Sequence, residues 1–76
     1  MNAKISELEI RKDLKIREGS IVSLDFDGDG RTIEVEIFEI FMRDGEVLIE
    51  SSTRNFGCFM THDEEQYRES AKLIKF

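Results

Sequence analysis

The chain has 76 residues, 37% of them charged, and a net charge of −6 at pH 7. That length predicts one small domain over residues 1–76, and chains below roughly 80 residues often depend on a staple or a partner chain because their core is small. A single cysteine excludes an intrachain disulfide and leaves no signal for structural zinc, which fits a reducing, cytoplasmic setting.

The opening segment, "MNAKISELEIRKD", is too charged for a signal peptide, and no apolar run in the chain approaches membrane length. Residues 1–18 carry five bases and four acids. Their structure has two readings. Ser6 followed by Glu9 is a capping-box spacing, which predicts a short N-terminal helix over about residues 6–14. "LEI" and "LKI" alternate instead like a short hairpin.

From residue 21 the rhythm is that of strands. "IVSLDF" 21–26 is rich in β-branched and aromatic residues. "RTIEVEI" 31–37 alternates strictly, with Ile33, Val35 and Ile37 on one face and Thr32, Glu34 and Glu36 on the other. "EVLIESST" 46–53 alternates as well, and "RDG" 43–45 supplies a turn before it. These runs predict an antiparallel meander of three to four strands.

The turn "DFDGDGRTIEVE", residues 25–36, fits the spacing of an EF-hand calcium loop, with Asp25, Asp27, Asp29, Gly30 and Glu36 at the ligand positions. An EF-hand needs a helix on each side, whereas both flanks here have strand period. The spacing therefore reads as an Asp- and Gly-rich hairpin turn, with a calcium-binding module as an alternative and no cofactor or metal expected. "GDG" lacks the further glycines and the lysine of a phosphate loop.

Past the turn, "FEIFM" 38–42 crowds apolar residues together. Strict alternation from Ile33 points Phe38, Ile40 and Met42 outward as a dimer patch; a bulge near residues 37–38 sends them into the core. Cys58, between aromatics in "FGCFM", reads as a small buried hydrophobe. In the tail, Thr61 and Glu64 form a capping box. Lys72 and Lys75 lie near the far end, and Tyr67, Ala71 and Ile74 form an i, i+4, i+7 stripe. A C-terminal helix over about 61–76 is predicted to pack on the sheet, with His62 as a solvated first-turn residue.

Residues 19–50 hold two bases and nine acids. Strand phase places Asp25, Glu34, Glu36, Glu46 and Glu50 on the face away from Ile33, Val35 and Ile37. Carboxylates two residues apart on a strand are separated by about 6.7 Å, and neighbouring strands by about 4.8 Å, so the array is flat and negative. Together with Asp27 and Asp29 in the turn, these seven residues are the candidate partner-binding set. The expected partner is a basic protein surface, possible mimicry of DNA included, as in small inhibitors made by phages and mobile elements, which is an analogy of class. Neither membrane nor direct nucleic-acid binding is expected, and no nucleophile–base spacing predicts an enzyme.

Residues 8–33, with Leu14, Ile16 and Gly19 in an "L-x-I-x-x-G" phrase before a strand, an acidic turn and another strand, resemble the core of AbrB/MazE-like swapped-hairpin regulators. The family's leading strand is shortened here to "MNAKIS", and a long extra segment follows. The resemblance implies an alternative function: a dimeric DNA-binding transcriptional regulator, for which Arg11, Lys12, Lys15 and Arg17 are the bases on hand. A homodimer is expected on either reading.

Overall fold

The computed structural model describes residues 3–25, 28–54 and 57–76. Among these residues eight strands and one helix follow in chain order: β1 (Ala3–Lys4), β2 (Glu7–Arg11), β3 (Leu14–Arg17), β4 (Ile21–Leu24), β5 (Ile33–Arg43), β6 (Glu46–Thr53), β7 (Phe59–Asp63), α1 (Glu64–Ser70) and β8 (Lys72–Lys75). The class is α+β, as the sequence predicted, but the main sheet has six strands rather than three or four. Its order is β7-β6-β5-β4-β8, with β1 also paired to β5.

The predicted meander is β4, β5 and β6, all antiparallel. Strand β5 runs on through "FEIFM" to Arg43. There a two-residue turn reverses the chain, with Arg43 opposite Glu46 and both Asp44 (φ 53°) and Gly45 (φ 80°) left-handed. Two positive φ angles give a type I′ turn, whose twist matches that of the strands it joins.

The N-terminal segment forms no helix. β2 and β3 make a separate two-stranded hairpin, with Leu8 opposite Ile16. The capping-box spacing lost to a cross-strand pattern: Glu7 stands opposite Arg17 and Glu9 opposite Lys15, while Ile10, Leu14 and Ile16 turn inward and are buried. No helix therefore precedes the "LKIREG" phrase in the way that the swapped-hairpin regulators would have it.

The tail helix is shorter than predicted. It covers seven residues and is capped by Asp63, whose side chain accepts from the Gln66 N–H; Thr61 lies upstream on β7. After Ala71 the chain extends and pairs with β4, Leu73 opposite Val22. Tyr67 and Ala71 are buried as the stripe predicted, but Ile74 is on β8 and half exposed. The extra strand satisfies backbone groups along β4 that a helix would have left open. Arg11 secures the crossover. Its guanidinium donates to the carbonyls of Arg68 (2.9 Å) and Ala71 (2.5 Å) and to the Asp13 carboxylate.

One face of the main sheet packs against the β2–β3 hairpin and α1. Val22, Leu24, Val35, Ile37, Ile40 and Ile49 from the sheet meet Ile10, Leu14 and Ile16 from the hairpin and Tyr67 and Ala71 from the helix region. Among the described residues no helix or second sheet packs over the opposite face. Among the described residues no helix is long and apolar enough to cross a membrane.

Candidate functional site

The uncovered sheet face is built by strand alternation. On β5 it receives Glu34 and Glu36, because Val35 and Ile37 are committed to the core. The register between β5 and β6 then shifts between Ile37 and Glu39, leaving Phe38 as an extra residue. After the shift Ile40 returns to the core and Glu39 joins the outer face.

On β6, Ile49, Ser51 and Thr53 point inward and are buried, so Glu46, Leu48, Glu50 and Ser52 point outward. On the neighbouring β7, Phe59 stands opposite Ser52 and Thr61 opposite Glu50. Glu34, Glu36, Glu46 and Glu50 thus occupy the face that strand phase predicted, and the bulge adds Glu39.

The bulge also divides the predicted dimer patch. Ile40 is 1% exposed and belongs to the core. Phe38 is 55% exposed on the outer face, and Met42, partly exposed, follows Ile40 on the other. These three residues do not form one patch, because the single extra residue reversed the phase between Phe38 and Ile40. Phe38 instead meets a residue missed at the sequence level. Its ring packs edge-on against that of Phe59, centroids 5.8 Å apart, and Phe59 is the most exposed large hydrophobic among the described residues. The alternation of "FMTHD" as a strand was the available signal.

Glu39 and Glu50 stand directly opposite one another on adjacent strands, both half-buried. Like charges in that position destabilise a sheet. Among the described residues no ion pair engages Glu36, Glu39, Glu46 or Glu50; Glu34 has Arg54 at 3.5 Å. Bases also stand on this face, with Arg43 opposite Glu46, Lys4 opposite Phe41, Lys75 two strands from Glu36 and Lys72 two strands from Glu34, so the acids without a directly facing base are Glu36, Glu39 and Glu50 on β5 and β6.

The predicted acidic turn is a separate feature. Asp25 lies just past the end of β4, off the strand array, and both its oxygens are engaged: the N–H groups of Gly28 and Gly30 donate to them at 2.8 and 3.0 Å. Asp29 accepts from the Arg31 N–H and lies 3.7 Å from the Arg31 guanidinium. Asp27 lies outside the described residues. Strands β4 and β5 flank the turn, as their period predicted, where an EF-hand would have helices. Among the described residues no three His, Cys, Asp or Glu side chains come together to hold a metal ion.

Two further expectations are corrected. Cys58 is exposed, since it precedes β7 rather than entering the core. His62 is on β7, half-buried, its ring 6.4 Å from that of Tyr67. Burial pulls its pKa below the usual histidine value, against the opposing charge of Asp63. The Tyr67 phenol is fully buried, and desolvation pushes its pKa up to about 12, with Ser51 beside it acting in the lowering direction.

Compared with protein-family models, curated proteins and solved structures, the chain matches none.

Proposed function

We propose that this protein is a small cytoplasmic, non-enzymatic regulator or inhibitor whose uncovered sheet face binds a basic surface of a partner protein. The observation that carries this reading is the Glu39–Glu50 pair, two carboxylates held opposite each other on an open face with no ion pair to either among the described residues. A fold gains nothing from such a pair in isolation, and a lysine or arginine from a partner relieves it. The Phe38–Phe59 rings beside it offer an apolar anchor of the kind that dominates protein interfaces. A flat array of carboxylates also suits a partner whose basic surface ordinarily meets nucleic acid.

The alternative, direct DNA binding through the N-terminal bases, is less well supported. Arg11 is occupied in clasping the α1–β8 crossover. The Arg17 guanidinium lies 4.3 Å from the Phe76 ring centroid and donates to the Phe76 carbonyl.

The test is Glu39→Lys. It places a base opposite Glu50, so stability is held or raised by about 0.2–1 kcal/mol, the worth of an opposite-charge cross-strand pair. Capture of basic proteins from a host lysate at about 0.1 M salt, where the Debye length is about 10 Å, should fall sharply in the variant and fall with added salt for the wild type. Undiminished capture by Glu39→Lys, or retardation of duplex DNA by the purified protein alone, overturns the reading.

A further inference from the structure

The two ends of the main sheet are unlike. At one end β8 carries Lys72 and Lys75 and a register shift against β4, devices that discourage further strand pairing. At the other end β7 has five residues in unbroken register with β6, and "FMTHD" contains no Lys, Arg or Pro.

The direction of its free backbone groups follows from one hydrogen bond. The Thr53 N–H donates to the Cys58 carbonyl at 2.9 Å, one step beyond the Ser52–Phe59 pair. In an antiparallel ladder bonded and non-bonded pairs alternate. Met60 and His62 therefore bond back to β6, while Phe59 and Thr61 turn both N–H and C=O to the open edge and Asp63 its N–H; the Asp63 carbonyl, at the N-cap, belongs to the first turn of α1. The side chains of these same three residues lie on the outer face.

We infer that β7 pairs antiparallel with β7 of a second copy of this chain, about a two-fold axis through Thr61. That register sets Thr61 opposite Thr61, Phe59 opposite Asp63 and Met60 opposite His62 of the second copy. No two acids oppose each other across the seam, and Thr–Thr is a favourable cross-strand pair. The Thr61 N–H and C=O then bond their counterparts across the axis, and the Asp63 N–H of each copy donates to the Phe59 carbonyl of the other. Because the β8 end is protected, assembly closes at two chains rather than growing into a fibre. The dimer joins two outer faces into one continuous surface and uses neither Ile40 nor Met42.

Sedimentation equilibrium in the micromolar range tests this. The wild type is expected at twice the chain mass, with association tightened by salt, because the two copies carry the same net charge. Thr61→Pro removes an N–H that points to solvent in the monomer and breaks the new ladder, so it should sediment as a monomer with an unchanged circular dichroism spectrum. Thr61→Lys, an exposed substitution that sets two lysines face to face across the axis, should do the same, and decides the matter if Thr61→Pro fails to fold. A wild type of monomer mass throughout, or a dimer that survives Thr61→Lys, overturns the inference.

Discussion

The ring of Phe59 on β7 stands edge-on to that of Phe38 on β5, at 5.8 Å and 73°, although β6 runs between their strands. The contact exists because alternation after the buried Ile37 puts Phe38 on the open face, the face that Phe59 also occupies; the bulge changes the phase only beyond Phe38. The same bulge returns Ile40 to the interior.

Substitutions should separate these two neighbours. Ile40→Ala, at a site 1% exposed, is expected to cost about 2–5 kcal/mol, the range for truncating a buried aliphatic side chain. Phe38→Ala, more than half exposed, should lose little beyond the ring pair, about 0.5–1.5 kcal/mol. Urea denaturation of the two variants checks this. Equal losses would mean that Phe38 is part of the core.

Tyr67 should make the fold sensitive to alkali. Its phenol titrates at about 12 in the folded chain, against about 10 when exposed, so between those values the unfolded chain ionises first. Stability is fully present below pH 10 and falls as the pH rises toward 12, by about 2–3 kcal/mol in all at 1.36 kcal/mol per unit. Tyr67→Phe removes the ionisation. Its stability, measured by denaturant titration from pH 9 upward, should not show this loss.

His62 gives the opposite limb. Its folded pKa is lowered by burial, so below the ordinary value of 6.5 the unfolded chain binds a proton that the folded chain resists. The contribution is fully present above pH 6.5 and is lost as the pH falls through the lowered folded value. A His62→Gln variant should show a flatter stability profile over that window in thermal melts. An unchanged slope would show that carboxylates alone set the acid limb.

The sequence by itself determined much of the outer face. Strict alternation in "RTIEVEI" and "EVLIESST" assigned Glu34, Glu36, Glu46 and Glu50 to one side, because a period of two leaves no freedom once Val35, Ile37 and Ile49 must be buried. "RDG" specified its turn because two consecutive positive φ angles suit Asp-Gly.

Tertiary structure decided the rest. The sequence offered a bulge near residues 37–38, and one is there, but it sends only Ile40 and Met42 to the core face and leaves Phe38 outside, because Phe38 is itself the extra residue. The tail "AKLIKF" has an apolar run too short to separate helix from strand, and the open edge of β4, some fifty residues away, chose strand. The first eighteen residues fit both a capping box and a hairpin, and local spacing favoured the helix that did not form. What chose was the exposed core face of the main sheet, which Ile10, Leu14 and Ile16 cover together only when β2 and β3 pair. In each case the winning interaction lies far along the chain, between backbone groups and apolar surfaces that meet only after the sheet has formed.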